Sequence, residues 1–140
     1  MKKEPTIPGA SEPLKNGFYQ EFFNNGNLNC AGEYSGGEKT GEWKYYLLYG
    51  SLKAIGHFVQ GKMVGDWTWY HENGTPLQTC RFDEQGQKTG LWKRYHANDV
   101  LLDEGEFRKG RQVRVWKTYN VHGELLKTTI FEACNYPLPA

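Results

Sequence analysis

The sequence predicts an all-β protein: an elongated single-sheet meander of about five β-hairpin repeats, open like a solenoid. Three observations predict it. A Gly-x-Trp-x-x-Tyr pattern recurs about every 24 residues, first clearly as Gly41-Glu42-Trp43-Lys44-Tyr45-Tyr46 and again as Gly65-Asp66-Trp67-Thr68-Trp69-Tyr70. Asn25-Gly26 and Asn73-Gly74 follow that pattern, and Asn-Gly is the strongest short hairpin signal. After each such turn the residues alternate between apolar and polar with period two, as a half-buried strand requires.

Taken in order, the units occupy residues 16–40, 41–64, 65–89, 90–113 and 114–133, between a flexible tail at 1–15 and a second at 134–140. The opening glycine stands at Gly17, Gly41, Gly65 and Gly90, and Arg114 replaces it in the fifth unit. Two residues later comes Tyr19, Trp43, Trp67, Trp92 or Trp116, and three further on Phe22, Tyr46, Tyr70, Tyr95 or Tyr119. The turn position holds Gly26, Gly50, Gly74, Asp99 or Gly123, and eight residues beyond it stands Tyr34, Phe58, Phe82, Phe107 or Phe131. In the first unit Leu28, Cys30, Gly32 and Tyr34 share one face; in the second, Leu52, Ala54, Gly56 and Phe58 do. Glycine weakens a strand, so Gly32, Gly56 and Gly105 at one phase need a reason, and a ring from the neighbouring strand lying over bare backbone supplies it. The third spacing is one residue longer, and the insertion falls in the polar loop Asp83-Glu84-Gln85-Gly86. Trp43 and Tyr46 are three apart, so either the strand is twisted or bulged there, or the two rings serve different faces.

Internal periodicity of this length signifies a repeat architecture. The combination Gly-x-Trp-x-x-Tyr, Asn-Gly, Leu-x-x-x-Gly-x-Phe and a Gly-containing loop resembles the variant MORN repeat of bacterial proteins catalogued as YwqK-type antitoxins. The resemblance covers roughly residues 16 to 132. It implies one hairpin per repeat in one twisted sheet; ten strands at about 4.8 Å span ~45 Å. It also implies partner binding, dimer formation and, in some eukaryotic relatives, attachment to membrane surfaces. Arg114 and Asp99 depart from the pattern, which makes the last two units the least regular, as an end cap would be.

Composition bounds the function. The chain has 140 residues, and 17 Lys and Arg against 16 Asp and Glu leave a formal charge of +1. That balance argues against nucleic acid and against a membrane surface as the main partner. The N-terminus lacks the apolar core of a signal peptide, so a cytoplasmic location is expected. Cys30, Cys80 and Cys134 are odd in number and lack CxxC spacing, so free thiols are expected rather than a disulfide or zinc site. His71 and His96 share a phase in adjacent units without a third ligand in line; solvated positions are expected, and no metal or other cofactor. Gly36-Gly37-Glu38-Lys39-Thr40 lacks P-loop spacing and recurs in kind at 86–89, so it reads as linkage between repeats. No catalytic set emerges, and no enzymatic activity is expected.

Trp43, Trp67, Trp92 and Trp116 at constant phase read first as glue between repeats. Tyr45 and Trp69 stand where other units have Glu21, Arg94 and Thr118, so the repeat does not demand rings there. The expected partner-binding residues are therefore Tyr45 and Trp69, together with Trp43, Trp67, Trp92 and Tyr70. The expected partner is a protein, either a toxin or effector in an antitoxin- or immunity-like role or the client of an adaptor, with a homodimer as a further form. The alternative is carbohydrate or cell-envelope binding by rows of Trp and Tyr.

Overall fold

The structure, a computed structural model, describes residues 13–131. The tail expected at 1–15 lies outside these up to residue 12, and Cys134 and the tail at 134–140 lie wholly outside. Ten strands follow one another: β1 (Gly17–Phe22), β2 (Leu28–Ser35), β3 (Glu38–Tyr46), β4 (Leu52–Val59), β5 (Lys62–Tyr70), β6 (Pro76–Phe82), β7 (Lys88–Tyr95), β8 (Leu101–Arg108), β9 (Arg111–Tyr119) and β10 (Leu125–Phe131). They form one sheet in sequence order, each antiparallel to its neighbours, so the predicted all-β meander is the observed fold. Among the described residues no helix is long and apolar enough to cross a membrane.

Two kinds of turn alternate along the chain. Within a unit, Gly26 donates to the Phe23 carbonyl and Phe23 to that of Asn27, with Gly26 left-handed at φ 87°. This is a three-residue loop ending in a glycine bulge, and Asn25-Gly26 forms its second half. Between units, Ser35 pairs with Glu38 across Gly36-Gly37, both at positive φ, as a two-residue type I′ turn demands. Gln60-Gly61 and Lys109-Gly110 repeat it. The insertion at 83–86 changes that turn type: Asp83 and Gly86 adopt the three-residue form instead, so one extra residue is absorbed without disturbing either strand.

The unit boundaries chosen on the opening glycine fall inside strands, where sequence periodicity gave no warning. Ala31 pairs with Lys44 and Glu33 with Thr40, so β3 spends two more residues than β2 across that interval. The same bulge recurs in β5, β7 and β9. Gly41, Gly65, Gly90 and Arg114 sit in it at φ 61° to 70°. The bulge interrupts the ladder, and a tryptophan repairs it. The indole N–H groups of Trp43, Trp67, Trp92 and Trp116 donate to the carbonyls of Glu33, His57, Arg81 and Glu106 at 3.1 to 3.2 Å. A backbone acceptor that the strand cannot satisfy thus receives a side-chain donor.

The same rings explain the strand glycines. A Cβ on Gly32 would lie 2.1 Å from Trp43, one on Gly56 1.9 Å from Trp67, and one on Gly105 2.0 Å from Trp116. The ring lies flat on the bare backbone of the preceding strand, as expected from the sequence. In the third unit Cys80 holds this phase, buried and free like Cys30, and burial pushes its thiol up to about 12. The core is this stripe. Trp43 and Trp67 are 2 % exposed, Trp92 is 8 %, and Trp116, flanked on its far side only by β10, is half-buried. Each ring removes about 200 Å² from water, worth at most roughly 5 kcal/mol.

Candidate functional site

The tryptophan stripe is laced together by edge-to-face contacts between repeats. Tyr34 meets Trp43 at 5.1 Å between centroids, Phe58 meets Trp67 at 5.1 Å, Phe82 meets Trp92 at 5.4 Å and Phe107 meets Trp116 at 5.2 Å. In every case one ring comes from the second strand of one unit and the other from the first strand of the next. Trp43, Trp67 and Trp92 are thereby committed to the interior and present almost no surface of their own.

Tyr45 and Trp69 lie on the same side of the sheet as those tryptophans. Tyr45 stacks on Trp43 at 6.2 Å and 30°, and Trp69 on Trp67 at 5.4 Å and 27°. Both are half-buried. The repeat does not demand rings at this phase, yet each packs on a core tryptophan while staying partly exposed. Ala54 pairs with both, Tyr45 in β3 and Trp69 in β5, and is itself buried. Its single methyl leaves a cleft of about 200 Å³ between the two rings, lined also by Lys53, Ala54, Phe58, Met63 and Trp67. Tyr70 stands apart from this arrangement. The register shifts between Trp69 and Tyr70, and among the described residues Tyr70 makes no ring contact. An equivalent shift follows Tyr45, so the parity linking Trp43 to Tyr46 is broken by a bulge.

The lysines of this face were not singled out from sequence. Lys15, Lys39 and Lys88 each stand four residues before the Trp-phase ring, where Met63 and Gln112 complete the column. Lys39 Nζ lies 4.8 Å from the Trp43 ring, 5.2 Å from Phe58 and 2.9 Å from the Tyr45 hydroxyl. Burial works against its charge, but Tyr45, Tyr34 and Cys30 together outweigh this and hold the ammonium above its ordinary range. Lys88 Nζ sits 5.1 Å from both Trp92 and Phe107. In the fourth unit Arg94 occupies the Tyr45 and Trp69 phase, and its guanidinium grips buried Asp103, with Nε at 3.0 and 3.1 Å from the two carboxylate oxygens. The position that holds a ring in two units thus holds an ion pair in the next.

His71 and His96 are corrected from solvated strand residues to links between units. Nε2 of His71 lies 2.8 Å from the Tyr95 carbonyl and that of His96 2.9 Å from the Tyr119 carbonyl. A carbonyl only accepts, so Nε2 carries the proton in each ring and is not free for a metal. Among the described residues no group of three or more His, Cys, Asp or Glu is placed to hold a metal ion.

The two-strand period, the glycine-seated tryptophans and the paired turns define one repeat. Residues 63–87 and 88–109 match the MORN repeat variant. No curated protein matches the chain. Both matched MORN-variant units begin two residues before the left-handed glycine, at Met63 and Lys88, and the second ends one residue before Gly110. On either side of the matched segments, the junctions at Trp43 and Trp116 share the same strand pairing, bulge and indole hydrogen bond, so the same hairpin geometry extends along the sheet beyond 63–109.

Proposed function

We propose that the chain is a protein-binding repeat module without catalytic activity, which grips a partner on its ring face. The observation that carries this reading is the cleft between Tyr45 and Trp69. Two half-buried rings about 10 Å apart, one repeat, flank a small residue and a solvent-facing floor of apolar side chains. Trp and Tyr anchors beside a pocket are the usual architecture of a binding hot spot. The finer reading, a toxin or effector silenced by an antitoxin- or immunity-like protein, or a client held by an adaptor, rests on the family resemblance alone. The test is affinity capture from the native host followed by calorimetry with the purified partner. Ala54→Leu fills the cleft and Trp69→Thr removes one wall; each folded variant should bind at least ~30-fold more weakly, about 2 kcal/mol. Unchanged binding by both folded variants would place the contact elsewhere. Capture of glycan fragments without any protein would replace this reading by the carbohydrate alternative.

A further inference from the structure

The two faces of the sheet treat charge differently. On the face away from the tryptophans, opposite charges pair off: Glu42 with Lys44 at 3.8 Å, Asp66 with Arg81 at 2.9 Å and Glu106 with Arg114 at 3.2 Å. On the ring face Lys39 and Lys88 meet aromatic rings instead, and among the described residues neither reaches a carboxylate within ion-pair distance. A ring quadrupole orients an ammonium but does not neutralise it, so these two positive charges remain available to an anion. Carboxylates do occur on this face: Asp103 is already committed to Arg94, and Glu21 accepts from the Cys30 thiol.

Spacing then limits the ligand. Lys39 and Lys88 occupy one column two repeats apart, and Met63 stands between them at the edge of the Tyr45–Trp69 cleft. Four inter-strand steps separate the lysines, roughly 19 Å. An extended peptide advances about 3.3 Å per residue, so six residues span that distance and three reach its midpoint.

We propose that the ring face receives an extended acidic peptide segment laid across the strands, with carboxylates six residues apart at Lys39 and Lys88 and an apolar side chain midway between them against Met63. This deepens the protein-binding reading and rests on it. Charge complementarity selects the acidic residues, and Met63, the uncharged member of the column between the two lysines, selects the central one. Free energy of desolvation is small at Lys88, which is exposed, and larger at half-buried Lys39, so the two ends of the segment contribute unequally.

The probe is a fluorescein-labelled nonapeptide with glutamate at its second and eighth positions, phenylalanine at its fifth and glycine or serine elsewhere. Binding is followed by fluorescence anisotropy on the full chain, and folding of each variant by circular dichroism. Lys88→Gln should weaken binding about tenfold, and so should Lys39→Gln where it remains folded. A peptide with glutamine for both glutamates should lose binding by at least tenfold, while Lys117→Gln, on the opposite face, leaves it unchanged. Equal binding of the glutamine peptide, insensitivity to Lys88→Gln, or no binding up to about 1 mM peptide would overturn the proposal. Co-sedimentation with vesicles of phosphatidylserine and phosphatidylcholine in the absence of peptide binding would overturn it in favour of a lipid surface. A captured protein partner lost on Ala54→Leu but indifferent to both lysines would defeat this inference while leaving the protein-binding reading intact.

Discussion

Gly56 shows what a single missing side chain can demand. A methyl group there would lie 1.9 Å from the Trp67 ring, which is buried on both sides and cannot move without abandoning its hydrogen bond to the His57 carbonyl. Overpacking of a tight site costs typically 1–3 kcal/mol, and loss of the indole hydrogen bond adds to it. Gly56→Ala should therefore destabilise the protein by about 3 kcal/mol in urea melts. A much smaller loss would mean that the ring is not seated on the backbone. Cys80 shows that the rule has some slack: it holds the glycine phase under Trp92, which is 8 % exposed where Trp43 and Trp67 are 2 %. The Trp92 N–H there divides between the Arg81 and Thr89 carbonyls. A strand glycine at fixed phase was legible in the sequence because it has no merit of its own in a strand. The lysines over the rings were not, because a charge in a half-exposed strand looks the same whether it faces water or an indole.

At the scale of the element, the left-handed bulge decides where each unit really begins. Four of the five positions at its phase are glycine, and the fifth is Arg114, at φ 61°. An arginine in this region is strained by about 1 kcal/mol or more, and its ion pair with Glu106 joins two solvent-accessible groups, which repays little. Arg114→Gly should raise stability by roughly 1 kcal/mol, less the entropy that glycine restores to the unfolded chain. A loss of stability would show that the Glu106 pair outweighs the strain. The opening glycines were read as repeat markers, and their column gave the correct period. The two extra residues behind them stayed hidden, since alternation along one strand says nothing about how many residues its neighbour uses. The same break in parity after Tyr45 left the relation of Trp43 to Tyr46 open until the pairing was seen. The polar insertion at 83–86 was legible because a turn can lengthen with no effect on the strands it joins.

Across the sheet, contacts run chiefly between successive strands, and the column tryptophans each mark one junction. Trp67 lies at the junction of the second and third units, with rings from both sides, whereas Tyr19 in the first strand meets one ring among the described residues, that of Tyr34. Trp67→Ala should cost about 3–5 kcal/mol and Tyr19→Ala clearly less. Equal losses in parallel denaturant melts would indicate a cooperative globule rather than a linear array. The links at the turns are uneven too. Asn25 and Asn27 donate to the Leu48 carbonyl, Asn73 to that of Ala97 and Asn98 to that of Val121. Tyr49 stands at the matching phase of the second unit, 88 % exposed, and forms no such bond. The meander was legible as a whole because its core is written in one repeated column; the cleft was not, because it depends on Ala54 being small beside two rings that the column does not contain.

The indole hydrogen bond at every junction has a spectroscopic consequence. Trp43, Trp67, Trp92 and Trp116 occupy four successive junctions, and Trp69 is the fifth and last indole in the chain, stacked on Trp67. The protein therefore contains its own series of chromophores, one per seam. The stacked Trp67–Trp69 pair couples its transitions and marks the second seam in near-ultraviolet dichroism, and chains retaining one indole at a time would record, by emission wavelength, the order in which the seams admit water.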